Sequence, residues 1–326
     1  MTTSIHSMVF FGECMVEHRA DGTSYFGGDT FNTAWYLVSL LNAVGLSKPK
    51  IKYATAIGQD AQSQQFQTLL AHMGIGCDLV VTHQYKTMGK YWIKLTQNGE
   101  RSFEFEREQS AARAYFKSHE PLSEALNAKS IDAIYLSGIS LAILCSEQLT
   151  YLLELLKRFK AQGGIVIFDN NYRASLWHGR KPQSAYLALM ALANIAFLTL
   201  EDELAIYAKH TLDEVLTVYQ NTNEQLVIIR RGPLPCVIKP SNSHELLYVA
   251  PEQLHAQSIV DTCAAGDAFA AGFLAQWLVR DLLAHDAIER AAQFAHKVAA
   301  EVIQHHGALI TPHLLPSLLG EEVSGA

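Results

Sequence analysis

Apolar positions along the chain switch between two rhythms, and the switching predicts strands and helices taking turns. Short apolar runs at 8–11, 51–57, 77–82, 131–136, 165–168, 195–199 and 226–230 read as buried strands. Helical spacing fills 35–44 up to Gly45, 63–73 up to Gly74, and 147–160 with Gly163-Gly164 behind it. This βα rhythm implies a parallel sheet with right-handed crossovers. Two hairpin signals interrupt it. Residues 16–18 and 24–26 flank Asp21-Gly22, and 91–96 and 101–107 flank Asn98-Gly99. The two ribbons are expected to form a small projecting sheet, a candidate lid that keeps water from the reaction. Residues 237–238 and 247–249 read as a late antiparallel edge, 287–305 as a long helix, and 320–326 as a frayed tail.

Composition narrows the class. The 326 residues are 49% hydrophobic and 17% charged, enough for one large α/β domain with an insertion or for two domains. A net charge of −7 without a basic run argues against nucleic-acid or anionic-membrane partners, and makes single arginines worth following. The most apolar stretch, 185–200, contains Asn194 and is short for a bilayer, so it reads as a helix and a buried strand. Five scattered cysteines lack CxxC spacing, which points away from zinc and disulfides and toward a reducing compartment. The first residues carry no signal-peptide pattern, so a cytoplasmic location is expected. No histidine falls in HExxH or another ligand spacing.

The chemistry concentrates in Asp261-Thr262-Cys263-Ala264-Ala265-Gly266-Asp267. A strand-like run at 257–260 precedes it and an apolar helix, 268–278, follows. The first amides of a helix have no internal partners, and the dipole there attracts anions. Small side chains let an anion approach closely. Asp267 beside that place is either a helix cap or a base that takes a proton from a hydroxyl during phosphoryl transfer. Earlier, Gly27-Gly28-Asp29-Thr30-Phe31-Asn32-Thr33-Ala34 opens a helix, with Asp29 or Thr30 as cap; it is not GxGxxG. Asp169-Asn170-Asn171-Tyr172-Arg173 follows a buried strand, where open α/β sheets bind ligands. Arg173 there suits either a substrate carboxylate or a surface ion pair. Leu200-Glu201-Asp202-Glu203 opens a helix, as dipole complements or as a Mg²⁺ contact.

The two glycine- and alanine-rich stretches, 27–34 and 261–267, resemble the two signatures of the ribokinase-like (PfkB) sugar kinase family. Tyr135-Leu136-Ser137-Gly138-Ile139-Ser140-Leu141-Ala142, Phe168 to Arg173 and Ala196-Phe197-Leu198-Thr199-Leu200 are similar to the bacterial 2-keto-3-deoxygluconate kinases within it. The resemblance spans about residues 8–312. It implies a single ribokinase-like domain over 1–326: a three-layer α/β/α sandwich with a mostly parallel sheet, and a β-sheet lid inserted at about 16–28 and 86–108. It implies ATP-dependent phosphorylation of 2-keto-3-deoxygluconate to the 6-phospho product, with ATP and Mg²⁺. A fructokinase or ribokinase of the same fold is the nearest alternative; a non-catalytic regulator would have no need of Asp267.

The resemblance also implies roles. Asp267 would be the base, and the amides of Ala264, Ala265 and Gly266 the anion hole. Gly28, Asn32, Tyr91, Phe105, Arg107 and Arg173 would surround the sugar acid. Thr199, Arg231 and Gly232, with Ala265 and Gly266, would meet ATP, and Glu203 would organise Mg²⁺ through water. Apart from the resemblance, exposed ribbons often pair, so the lid is a place where two copies could meet as a homo-oligomer, though the sequence does not set the oligomeric state. The chain departs from the family pattern at Ala264, where DTxGAGD has glycine, at Leu200, where NxxE has asparagine, and at Phe105, where a tyrosine is usual.

Overall fold

The computed structural model describes residues 5–315 except 20, 45–47, 96–100, 118–120, 220–223, 244 and 280–284. The expected Asn98-Gly99 turn, the Gly45 stop and the tail at 320–326 lie outside the described residues. Among the described residues there are thirteen strands: β1 (Ser7–Phe11), β2 (Met15–His18), β3 (Ser24–Gly27), β4 (Lys50–Ile57), β5 (Val80–Thr82), β6 (Gly89–Leu95), β7 (Arg101–Glu106), β8 (Ala133–Ser137), β9 (Ile165–Asp169), β10 (Ile195–Thr199), β11 (Leu226–Arg231), β12 (Leu234–Lys239) and β13 (Leu247–Val249).

Nine of them form one sheet in the order β13-β12-β11-β10-β9-β8-β1-β4-β5. Pairing is parallel from β5 to β11 and antiparallel at β12 and β13. The parallel strands are apolar on both faces because helices cover both. Met8, Phe10, Tyr135 and Phe197 point into one core, under the helices Asp29–Val44, Ala265–Val279 and His285–Val302. Their neighbours Val9, Phe11, Leu136 and Leu198 point into the other, under Ser146–Ala161 and Gln183–Leu192. The result is the expected three-layer α/β/α sandwich. No helix among the described residues is long and apolar enough to cross a membrane.

Chain order decides where a ligand can sit. From β1 the chain moves outward to β4 and β5, then returns to β8 on the other side of β1. The connections therefore part at β1 and β8, which opens a crevice beyond the carboxyl ends of those strands. The remaining four strands make a separate sheet, β3-β2-β6-β7. Its two hairpins meet through a parallel pairing that sets Glu17 beside Tyr91. The second sheet leaves the body right after β1, so it stands next to the same crevice.

One local expectation fails. Residues 257–260 are not a strand: Ala256–Ser258 is a 3₁₀ turn, and Ile259 and Val260 are 44% and 41% exposed. Their β-branched side chains favour extended backbone, but among the described residues no strand pairs with them. Instead the amides of Val260 and Asp261 donate to the carbonyl of Ile303. Asp261 then fixes the loop, taking the amides of Cys263 at 3.1 Å and Gly307 at 2.9 Å.

Candidate active site

A cavity of about 720 Å³ fills the crevice, a size that suits a sugar and the phosphates of a nucleotide. Glu13 from the end of β1, Thr199 from β10, Arg230 from β11 and Asp267 all line it. Gly28 and Asn32 reach it from the opening of the helix Asp29–Val44, so the two signature stretches face one space. Gly28 has φ +151, and a Cβ there would stand 2.4 Å from the Glu13 carbonyl oxygen. No other residue fits that approach without moving the chain.

Asp267 lies in the first turn of the helix Ala265–Val279 and is 8% exposed. Asn32 donates to its Oδ2 from 2.8 Å. Burial, and then the charge of Asp29, lift its pKa from 3.8 to about 7; the Asn32 bond and Arg230 pull the other way. A carboxylate with that pKa is matched to proton exchange near neutral pH, which a simple cap would not be. Asp29 is also held up by burial, and accepts a bond from Asn171 at 3.0 Å.

Ala264, Ala265 and Gly266 line the same cavity. The amide of Ala265 donates to the Thr262 carbonyl at 3.3 Å, so that member of the expected anion hole is partly engaged in its own turn. Ala264 has φ +60, the left-handed conformation in which glycine is at ease and alanine is strained by about 1 kcal/mol. The family's glycine at this position thus has a backbone reason. Ala264→Gly is expected to raise stability by up to about 1 kcal/mol in urea unfolding. A loss would show that the Ala264 methyl, which packs on the core, matters more than the strain.

The residue that ties this turn to the sheet escaped the sequence reading. Arg230, not Arg231, faces the cavity. Its Nη1 donates to Asp169 Oδ2 at 2.9 Å and to the Gly266 carbonyl at 2.9 Å; its Nη2 donates to Asp169 Oδ1 at 2.6 Å and Thr199 Oγ1 at 3.1 Å. Burial alone would lower its pKa, but Asp169 more than offsets this and holds it up. Arg231 and Gly232 are not among the lining residues; Arg231 turns to the Pro235 carbonyl at 3.3 Å. Alternation along β11 places the two arginines on opposite faces, and the sequence alone does not say which face meets the cavity.

Glu203 is also displaced from its expected place. It is fully buried, its carboxylate takes bonds from Asn170 at 3.0 Å and from Tyr219, and it does not line the cavity. Burial lifts its pKa to about 7. It anchors Asn170, which in turn holds Thr199 through its amide and carbonyl. The carboxylate of that helix turn that does face the cavity is Asp202.

At the sugar end, Tyr91, Phe105, Arg107 and Arg173 all line the cavity. Arg107, expected beside the sugar acid, is 7% exposed and paired with the buried Glu13. The Tyr91 hydroxyl donates to Glu17 at 2.6 Å, and Phe105 leans on the Tyr91 ring. Arg173 is exposed, and its guanidinium donates to the Tyr172 carbonyl at 2.8 Å.

The model of the pfkB family carbohydrate kinases matches residues 6–314. A 2-dehydro-3-deoxygluconokinase of Dickeya dadantii (strain 3937) is 37% identical over 321 residues, which cover 97% of this chain and 100% of that protein. Another, from Escherichia coli (strain K12), is 35% identical over 310 residues, covering 94% and 97%. Among solved structures, fructokinase of Xylella fastidiosa with bound ATP has a TM-score of 0.79 at 20% identity, over 98% of this chain and 100% of that one, and shares the fold. With both signature loops facing one cavity and relatives matched along nearly their whole length, the chain belongs to the pfkB family of carbohydrate kinases.

Proposed function

We propose that this kinase transfers the γ-phosphoryl group of ATP to the 6-hydroxyl of 2-keto-3-deoxygluconate. The observation that carries the reading is Asp267: a buried carboxyl with its pKa near 7, held by Asn32, directly after the small-residue amides at a helix start. The hydroxyl oxygen attacks the γ-phosphorus, the bond from phosphorus to the bridging oxygen breaks, ADP leaves, and Asp267 takes the hydroxyl proton. The amides of the first turn meet the charge on the group in flight. The high identity to 2-dehydro-3-deoxygluconokinases supports the choice of sugar acid.

Mg²⁺ fits as an ion that arrives on the phosphates. Asp202 and Asp29 face the cavity, and one or two carboxylates with phosphate and water oxygens are its usual company. Bound there, it would neutralise phosphate charge. The second sheet is read as a lid, since Tyr91 and Phe105 put its inner face on the cavity. Pairing of copies through that sheet and a cytoplasmic location remain part of the proposal.

With Arg107 neutralised by Glu13, the carboxylate of the substrate falls to Arg173. Arg173→Ala is expected to raise KM for the keto-deoxy acid about tenfold, equivalent to about 1–2 kcal/mol for a hydrogen bond to a charged group. KM for ATP should stay put. An equal rise for a neutral sugar such as fructose would remove Arg173 from carboxylate reading and favour a neutral-sugar kinase.

A further inference from the structure

A second cavity, of about 470 Å³, opens beside the first, and Glu108 and His178 line both. Its wall gathers Lys86, Arg113, Lys117 and Arg180, against two carboxylates, Glu108 and Glu147. Positive charge collected this way in a chain of net charge −7 favours an anion. Arg180 is spoken for: it donates to the carbonyls of Leu144 at 2.8 Å and Ala142 at 2.5 Å. Burial, and then the charge of Arg113, lower its pKa, so the two guanidinium groups repel each other.

Arg113 is the less settled of the two. Its ion pair with Glu108 is long, 3.8 Å, and Glu108 is 61% exposed. Its Nη1 is buried and has no hydrogen-bond partner among the described residues. Gln148, only 7% exposed, also lines this cavity and leaves its Nε2 without one. Buried donors are nearly always satisfied, so these two, shut off from water just behind the wall, are unused capacity that a turn of either side chain would bring to an acceptor in the cavity. The helix Ser146–Ala161 begins in the same wall and adds its positive end.

The place is also a joint. Lys86 lies just before β6 and Gln109 just after β7, and the Lys86 ammonium donates to the Gln109 carbonyl and Oε1 at 3.1 and 3.2 Å. Both connections to the β6–β7 hairpin of the second sheet therefore border the cavity. We propose that this cavity is a binding site for a small phosphoryl anion, distinct from the phosphate cradle at Asp267. The anion displaces Glu108 as the partner of Arg113, and a planar guanidinium with a nearby ammonium suits its oxygens. Glu108 then keeps His178, 3.5 Å away, at the border of the first cavity.

The test is calorimetric titration of inorganic phosphate into the full chain, with the first cavity saturated by a non-hydrolysable ATP analogue and Mg²⁺. One further site is expected in the wild type. Its affinity should fall at least tenfold in Arg113→Gln and in Lys117→Gln, while both variants keep kcat/KM within twofold of wild type in phosphate-free buffer. The exposed Lys117 keeps the test open should Arg113→Gln fail to fold. A parallel titration with a 6-phospho sugar acid separates the sources: tighter binding than inorganic phosphate assigns the site to a phosphorylated metabolite, and equal binding assigns it to free phosphate. No heat beyond dilution in the wild type, or unchanged affinity in the folded variants, would overturn the proposal.

Discussion

Asp267→Asn is expected to lower kcat by about 10²–10⁴-fold, the usual worth of a positioned base, while ATP still binds. The same change should make the protein more stable. The folded carboxyl titrates at about 7 against an unfolded value near 3.8, so folding holds on to a proton between those values. Stability from this group is therefore present at low pH and is lost as pH rises from about 4 to 7. At pH 8 the buried charge costs up to about 4 kcal/mol, taking about 1.4 kcal/mol per pH unit, and a neutral asparagine escapes that cost. Wild-type kcat/KM should correspondingly rise with pH through about 7 and then level, because the base must be ionised. A variant that keeps more than a tenth of the wild-type rate would take Asp267 out of the chemistry. A variant less stable than wild type at pH 8 would show that its burial is not costly.

Arg230→Met is the second large effect. It leaves Asp169, 1% exposed, with the Tyr135 hydroxyl at 3.1 Å in place of a bidentate partner. Removing one side of a buried pair costs about 3–5 kcal/mol, mostly through the charge left behind. The Gly266 carbonyl loses its donor at the same time, which frees the anion-binding turn from the sheet. Activity should drop with stability. The double variant Arg230→Met, Asp169→Leu should recover much of the stability and none of the activity. Denaturant unfolding of the three proteins decides it: a single variant within 1 kcal/mol of wild type would mean that the pair is not what anchors the turn.

The fold was largely legible because its cues are local. Period and glycine stops gave the helix Ala61–Met73, which Asp60 caps and Gly74 closes at φ +75. The hairpin turns announced the second sheet. What stayed hidden depends on neighbours far along the chain. The pairing of Arg230 with Asp169 crosses 61 residues, and that of Arg107 with Glu13 crosses 94. Neither leaves a local pattern, so the sequence offered Arg231 for ATP and Arg107 for the substrate. Glu203 read as a dipole complement or a Mg²⁺ contact in a first turn; only the packing of Tyr219 and Asn170 around it explains its burial. At 257–260, β-branched residues promised a strand, but among the described residues no strand pairs with them.

An ADP-release assay at pH 8 across 2-keto-3-deoxygluconate, fructose and ribose, with the phosphorylated carbon located by NMR, tests the substrate and the base together. The keto-deoxy acid is expected to have the highest kcat/KM, its phosphate to be on carbon 6, and its rate to collapse in Asp267→Asn. Faster turnover of a neutral sugar, or ADP release that survives the loss of Asp267, would contradict the proposed function.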